Sequence, residues 1–259
     1  MQTINLKDEA QVYFTAHYPK ASAEEIQKQV EDWEHKISVG KSLVTFFTER
    51  VGTVEHKKIL DVGFGNGGIC IAFNQAGAVM SGLDVDQALK DIADRHVASH
   101  GAHVDLRIYD GTNFPYDDDS FDAVVSFSVL EHVTDAEKVI SEMLRVLKPG
   151  GRILLTLPNK YYPKETHTLL YGVSYLPHNL ANAYIRLFDR SPLEDDNLHF
   201  YSYFDIVYIL KKTGVPYELV YKDMTQASGV KKFVARVLQK MNIHYTVFLK
   251  QLIFIIEKK

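Results

Sequence analysis

The residues best placed to do chemistry lie in one glycine-rich stretch, ILDVGFGNGG, at positions 59–68. Residues 59–62 predict a buried strand, and an apolar helix is predicted from about residue 69 to residue 75. The glycines between them allow positive φ angles and let a ligand come close to the backbone. The helix start behind them offers free N–H groups and the positive end of the helix dipole. This strand, turn and helix therefore predict a nucleotide-type site at the carboxyl edge of a sheet.

The spacing of the glycines fits two classes of cofactor. Gly63, Gly65 and Gly68 match the dinucleotide pattern G-x-G-x-x-G, whereas Asp61 with Gly63, Gly65 and Gly67 matches D-x-G-x-G-x-G. The carboxylate of Asp61 favours the second pattern, because it suits a cofactor with an ammonium group and would repel a pyrophosphate. A glycine turn with a purely structural role is the alternative.

The second pattern resembles motif I of the class I S-adenosylmethionine-dependent methyltransferases. Two later runs carry the same resemblance, LKPGGRILL at 147–155 and LEHV at 130–133. The latter is similar to the small-molecule branch, which includes quinone-biosynthesis, sugar and natural-product methyltransferases. The Asn/Asp-Pro-Pro-aromatic signature of enzymes that methylate nucleobase amines is absent, which argues against a DNA adenine substrate. The resemblance covers residues 58–158 well and residues 200–259 by topology only.

The resemblance implies a Rossmann-like α/β fold. We expect a seven-stranded sheet in the order 3-2-1-4-5-7-6, with strand 7 antiparallel, whereas a dehydrogenase would continue with parallel strands and a substrate domain. The fifth strand is predicted at 152–157 and the seventh at about 245–256. Residues 1–57 are expected to form an N-terminal helical segment and residues 58–259 the methyltransferase domain.

Two segments are expected to form the pocket for the methyl acceptor. Ser22 and Glu25 make a capping box that starts an amphipathic helix, and such N-terminal helices lie over the cofactor in methyltransferases of the resembled kind. Residues 159–201 are an aromatic, proline-bearing insertion that leaves the cofactor edge after strand 5, and long insertions in compact domains are commonly functional. We interpret this insertion as an acceptor-binding cap. The alternatives are a packing arm for the first segment and an oligomer contact or packed subdomain for the second.

Further residues are expected to hold the cofactor. Asp84 closes the second predicted strand 23 residues past Asp61, near the spacing of the acid that accepts hydrogen bonds from both ribose hydroxyls. By resemblance, Asp110 would accept from the adenine amino group, and Gly111 would leave room for the ring. Val85 and Phe127 complete the expected set.

Methyl transfer from a sulfonium requires an acceptor aligned with the carbon–sulfur bond at about 3–3.5 Å. A hydroxyl acceptor must also lose its proton, and histidine is the natural base near neutral pH. Of the 11 histidines, His132, which follows strand 4, is the first candidate, and His167 and His199 come next. Some family members work by proximity and need no base. No metal is expected, because the aspartates at 117–119 predict a solvated turn rather than a metal site.

Composition limits the remaining functions. The chain has 259 residues, 46% hydrophobic, and a net charge of −4, which gives no electrostatic footprint for nucleic acid. One cysteine, no secretion signal and no apolar run long enough to span a bilayer favour a soluble cytoplasmic protein. A basic stripe at 230–241 raises peripheral membrane association as an alternative.

The preferred function is therefore S-adenosylmethionine-dependent O-methylation of a small molecule, such as a sugar, polyketide or quinone precursor. N-methylation of an amine and a non-catalytic S-adenosylmethionine-binding protein are the alternatives. The acceptor and the oligomeric state stay open.

Overall fold

The computed structural model describes residues 4–188, 190, 192–193, 197–220 and 245–259. Within these ranges the chain forms one sheet with helices on both faces. The helices are α1 Leu6–His17, α2 Ala23–Glu34, α3 Lys36–Arg50, α4 Gly68–Gln75, α5 Gln87–Ser99, α6 Ala136–Val146, α7 His178–Arg186 and α8 Tyr203–Thr213. The strands are β1 Lys58–Val62, β2 Val79–Asp84, β3 Val104–Ile108, β4 Phe121–Phe127, β5 Leu147–Pro158, β6 Tyr217–Leu219 and β7 Gln251–Glu257.

The order of the strands is β3-β2-β1-β4-β5-β7-β6. The first five strands pair in parallel, and β7 runs antiparallel to both β5 and β6. This confirms the predicted order and the antiparallel seventh strand. The carboxyl ends of the parallel strands share one edge, where the connections that follow β1, β2, β3 and β4 meet.

Two predicted strand boundaries were wrong. The fifth strand begins at Leu147 rather than at residue 152, because Leu147 already pairs with Phe121 before a register shift. The seventh begins at Gln251 rather than near residue 245, because Tyr245–Phe248 form a 3₁₀ helix. Apolar composition alone does not separate a strand from a short helix beside it.

The core lies on both faces of the sheet. One cluster joins Leu60 of β1 to Ile140 and Met143 of α6, and another joins Ile59 to Ile71 of α4. Neighbouring residues of β1 thus serve opposite faces, as the alternation of a strand requires. This double burial fixes the sheet rigidly and leaves its carboxyl edge as the place for a site.

Two smaller clusters lie over that edge. The first packs Phe14 of α1 against Trp33 of α2, and the predicted capping box of Ser22 and Glu25 is present at the start of α2. The second packs Val173, near the middle of the insertion, with Ala181 and Ile185 of α7. The N-terminal helices and the insertion form two covers over the sheet edge, and each cover has an apolar core of its own.

The basic stripe predicted at 230–241 lies outside the described residues, so the membrane interpretation stays a prediction. Within the described ranges, no helix combines the length and the apolar character needed to cross a membrane. The aspartate run at 117–119 forms a turn on the surface, where Asp118 pairs with Arg145 at 2.8 Å and Asp119 pairs with Lys258 at 2.6 Å.

Candidate active site

The glycine turn between β1 and α4 has the backbone that its sequence predicts. Gly63, Gly65 and Gly67 have φ angles of +80°, +53° and +76°, in the left-handed region that favours glycine. A Cβ built on Gly65 would meet no atom within 4 Å, so this position faces open space. The turn therefore offers an exposed stretch of backbone to a ligand at the start of α4.

Asp84 ties the end of β2 to this turn. Its Oδ2 accepts a hydrogen bond from the Gly65 N–H at 2.9 Å, and its Oδ1 accepts from the Val85 N–H at 2.8 Å. Burial raises the pKa of this carboxyl, and the backbone N–H groups oppose that rise. Oδ1 also accepts from the Asp86 N–H at 3.4 Å, so Oδ2 is the oxygen that keeps a lone pair for a further donor, such as a ribose hydroxyl.

Asp61 lies fully buried behind the turn. Its Oδ2 accepts from the Cys70 thiol at 3.3 Å, while its Oδ1 has no hydrogen-bond partner among the described residues. Burial raises the pKa of this carboxyl to about 7. A buried acceptor without a donor is costly, and a cofactor with an ammonium group would supply the missing positive charge.

Lys36, which sequence reasoning missed, begins α3 beside the same pocket. Its Nζ lies 4.9 Å from the centre of the Phe127 ring. Burial lowers its pKa, and the carboxylates of Asp32, Asp61 and Glu131 oppose that effect from a distance. Among the described residues no carboxylate lies within ion-pair range of this ammonium. No feature of the sequence distinguishes Lys36 from other helix-start lysines, since only the packing of α3 brings it to β4.

The loop after β3 brings Asp110 and Gly111 close to Val85, which follows β2. Asp110 is exposed, and the N–H groups of Asn113 and Thr112 and the Asn113 amide hold its pKa below the usual value. Gly111 has a φ angle of +83°, and a Cβ there would lie 3.6 Å from the Cγ1 atom of Val85. Val85 is 57% exposed. Asp110 first stabilises its own loop, and its remaining lone pairs face solvent.

A cleft of about 420 Å³ separates the sheet edge from the two covers. Trp33 and Lys36 line it from the N-terminal helices, and Thr166 and His167 line it from the insertion. The end of β4 supplies the floor, with Phe127, Ser128, Glu131 and His132. Ser128 has a φ angle of +57°, a strained backbone of the kind that clusters at functional sites.

The two leading histidine candidates meet in this cleft. Their rings lie 5.1 Å apart, edge to face, although 34 residues separate them in the sequence. The Nδ1 of His167 lies 2.9 Å from Glu165 Oε1, and the Nε2 of His132 lies 4.0 Å from Glu131 Oε1. Glu131, His132 and His167 also place possible metal-ligating atoms within 4.8 Å of one another, a grouping that the sequence did not suggest. His199 lines a smaller adjoining pocket.

Comparison with known proteins shows what the chain is similar to. A family model described as a methyltransferase domain matches residues 60–155. The ubiquinone biosynthesis O-methyltransferase of Coxiella burnetii is 28% identical over 130 residues, which cover 50% of this chain and 55% of that protein. The protein of the same name from Pseudomonas fluorescens is 34% identical over 134 residues, 51% of this chain and 57% of its own length. Residues 60–155 thus match a methyltransferase domain, which agrees with the resemblance to class I S-adenosylmethionine-dependent methyltransferases. The chain spans little more than half the length of these curated relatives.

Solved structures share the fold of this methyltransferase domain. An S-adenosylmethionine-dependent methyltransferase from Mesorhizobium loti superposes with a TM-score of 0.56 and 15% identity, covering 83% of this chain and 96% of that one. A phosphoethanolamine N-methyltransferase from Haemonchus contortus, in complex with S-adenosylhomocysteine, gives a TM-score of 0.56 and 19% identity, covering 84% of this chain and 52% of that one. These structures confirm the predicted Rossmann-like fold, and the matched domain agrees with the resemblance to S-adenosylmethionine-dependent methyltransferases. The assignment of individual site residues stays a prediction.

Glu165, which contacts His167, is the second residue near the cleft that sequence reasoning missed. A signal for it existed, because Glu165 stands two residues before the candidate base in the run E-T-H. The sequence could not reveal whether that loop turns the carboxylate towards its neighbour or towards solvent.

Proposed function

We propose that this protein transfers the methyl group of S-adenosylmethionine to a hydroxyl oxygen of a small-molecule acceptor. The observation that supports it most is the pairing of two histidines, His132 and His167, in the cleft beside the end of β4. The curated relatives are named O-methyltransferases, which supports oxygen as the accepting atom.

The donor would lie along the carboxyl edge. Asp84 would accept from the ribose hydroxyls, and Val85 and Gly111 would contact the adenine, with Asp110 at its amino group. Phe127 would face the donor from the end of β4. These assignments match hydrogen-bond acceptors to donors and an apolar side chain to a flat ring.

The amino-acid end of the donor would lie between two opposite charges. The buried Asp61 carboxylate favours an ammonium group on its side, and the Lys36 ammonium favours a carboxylate on the other. Each group has a burial cost that the opposite charge of a zwitterion would offset. Both charges would therefore favour the complete donor over a nucleoside fragment.

Residues 159–201 would act as the cap of the acceptor site within a methyltransferase domain at 58–259, and the helical segment at 1–57 would form the opposite wall. Arg190 of the insertion pairs with Glu24 and donates from Nη1 to Ser22 Oγ at 2.7 Å. Asn197 Nδ2 donates to the backbone oxygen of His132 at 2.9 Å. The Arg190 contacts join the two covers, and the Asn197 contact joins the insertion to the floor of the cleft, so that water would be displaced when the acceptor binds.

S-adenosylmethionine would supply an activated methyl group on its sulfonium. The protein would hold the acceptor oxygen in line with the carbon–sulfur bond, and one histidine of the cleft would receive the hydroxyl proton. A cleft of about 420 Å³ is of the size that small molecules occupy, about 300–1,000 Å³.

The test has two stages, both with the purified full chain. Isothermal titration with S-adenosylhomocysteine should show binding that Asp84→Asn weakens, while Asp105→Asn, on the exposed part of β3, should leave it unchanged. Transfer of radiolabelled methyl from S-adenosylmethionine is then measured on matched phenols, catechols and anilines. Label on the phenols or catechols is the expected result. Label confined to the anilines would establish N-methylation, and donor binding without transfer to any acceptor would favour a binding protein.

A further inference from the structure

The carboxylate of Glu165, near the start of the insertion, is buried and accepts several hydrogen bonds. Glu165 is 6% exposed. Its two oxygens accept from the His167 N–H at 3.0 and 2.9 Å, and Oε2 accepts from the Thr168 hydroxyl at 2.9 Å. The chain thus turns back over its own acidic side chain. The carboxylate is held in one orientation by groups that follow it in sequence.

The Glu165 carboxylate also carries a negative charge at neutral pH. Burial raises the pKa of the Glu165 carboxyl, but the hydrogen bond from the His167 ring and the backbone N–H groups outweigh that effect and bring it to about 2. A buried, ionised carboxylate with a fixed orientation is the group that other enzymes use to orient an imidazole. Here the oriented imidazole is His167, whose Nδ1 lies 2.9 Å from Oε1.

The carboxylate determines which ring nitrogen of His167 carries the proton. An ionised carboxylate can only accept, so Nδ1 must donate to it. Nε2 is then the basic nitrogen of the neutral ring, and the ring lines the cleft together with Phe127 and Ser128. The distance from His132 Nε2 to the carboxylate oxygen of Glu131 is 4.0 Å, beyond hydrogen-bonding reach. The contact with Glu165 therefore fixes the orientation of the His167 ring.

We infer that His167 is the base that takes the acceptor's proton, and that Glu165 is the positioning residue that fixes its tautomer and ring orientation. This inference rests on the proposed O-methyl transfer. It reverses the order that the sequence suggested, in which His132 came first.

The proton and charge balance of the step is complete. The acceptor oxygen forms a bond to the methyl carbon as the carbon–sulfur bond breaks, and the bonding pair stays on sulfur as a neutral thioether. The hydroxyl proton passes to Nε2 of His167. The resulting imidazolium lies against the ionised Glu165, so the positive charge that leaves the sulfonium reappears beside a carboxylate that is already in place. Solvent removes the proton once the product has left.

Other titratable and charged groups also face this cleft and affect its pH dependence. They are Tyr18 after α1, Lys28 and Asp32 of α2, His35 between α2 and α3, Lys36 of α3, Glu131 and His132 after β4, and Lys250 before β7. Glu25 of α2 lines an adjoining pocket that His167 also lines. Because all of them stay in place in a Glu165 variant, a change in the pH profile of that variant reports on the Glu165–His167 pair.

The first experiment reads the tautomer and does not depend on the proposed function. Nitrogen-15 NMR of ring-labelled histidines in the full chain should show His167 protonated at Nδ1, and Glu165→Gln should remove that preference. Thr168→Val keeps the carboxylate and loses one hydroxyl contact, so it should keep the tautomer. A His167 that is protonated at Nε2 in the wild-type protein would overturn the pair, whatever the reaction.

The second experiment uses methyl transfer to the acceptor class that the first assay identifies. His167→Gln should lower kcat by at least about 100-fold, with an unchanged Kd for S-adenosylhomocysteine. Glu165→Gln should lower kcat by about 10- to 100-fold and move the acidic limb of the kcat–pH profile to lower pH. The limb moves because the imidazolium loses the carboxylate that favours it. Glu165→Asp should restore part of the rate.

Three results would contradict the inference. A folded Glu165→Gln protein with the wild-type profile would leave Glu165 without a positioning role. A larger kcat loss in His132→Gln than in His167→Gln would return the base to His132. Activity that EDTA abolishes and Zn²⁺ or Mn²⁺ restores would make the two histidines and Glu131 a metal site. If His167 is protonated at Nδ1 as expected but no acceptor is methylated, the proposed function is wrong, while the claim that Glu165 fixes the tautomer of His167 is still supported.

Discussion

Replacement of Lys36 by methionine tests how the amino-acid end of the donor is recognised. The ammonium lies 4.9 Å from the centre of the Phe127 ring, and burial already lowers its pKa, so the charge has a desolvation cost when no anion is bound. Methionine keeps the length and apolar packing of the side chain but removes the charge. A hydrogen bond to a charged group contributes about 1.5–3 kcal/mol. The substitution should therefore raise the Kd of S-adenosylhomocysteine about 10- to 100-fold.

The assay separates loss of the charge from damage to the pocket. Isothermal titration is carried out with S-adenosylhomocysteine and with 5′-methylthioadenosine, which has the same nucleoside and lacks the amino and carboxyl groups. Lys36→Met should weaken the first ligand and leave the second unchanged. Lys41→Met, at an exposed position on the same helix, should change neither. Equal weakening of both ligands by Lys36→Met would show that the lysine supports the shape of the pocket and would refute a carboxylate contact.

Three further predictions follow from the site. Burial raises the pKa of Asp61 from 3.8 to about 7, so between these two values the folded protein binds a proton that the unfolded chain does not. The free energy of unfolding of the ligand-free protein should therefore fall as pH rises from about 4 to 7. Urea denaturation should show that Asp61→Asn makes this fall smaller. Gly65→Ala should lower the free energy of unfolding by about 1–2 kcal/mol, because alanine is strained at a φ of +53°. It should also weaken donor binding, because its methyl group would enter the open space beside the turn that the donor is proposed to occupy. Arg190→Met should raise KM for the acceptor and speed proteolysis within 159–201 while the donor Kd stays unchanged, because it removes the contacts to Glu24 and Ser22.

Each of these predictions has a matched control. Asp122→Asn tests whether any carboxyl gives the Asp61 effect, since the Lys148 and Lys58 contacts lower the pKa of Asp122, although burial opposes them. Gly214→Ala places the same strain at a φ of +67° in the cap of α8, so an equal loss of donor binding there would remove the special role of Gly65. Arg186→Met changes a basic residue of α7 outside the contacts to α2. An equal rise in KM for this variant would show that the Arg190 contacts to Glu24 and Ser22 have no special role.

The sequence predicted most of the fold because its signals are local or repeat along the chain. Alternating apolar strands and helices predicted the sheet, and the glycines of 63–67 predicted a turn that needs positive φ. The boundaries of β5 and β7 were missed, since Leu147 joins the sheet through a pairing with Phe121, and pairing is not visible in one segment. Ser22 and Glu25 were predicted correctly as a cap, because both partners lie within one turn of a helix.

The sequence by itself therefore determined the type of site: a glycine turn after the first strand, an acid at the end of the second, and a cofactor with a charged amino-acid end. Only the tertiary structure decided which distant groups complete it. Lys36, Glu165 and the meeting of His132 with His167 depend on how α3 and the insertion pack over the sheet edge. Such contacts join residues with no fixed spacing, so no periodicity or motif records them. Burial also sets the proton affinities of Asp61 and Lys36, and burial is a property of the folded chain.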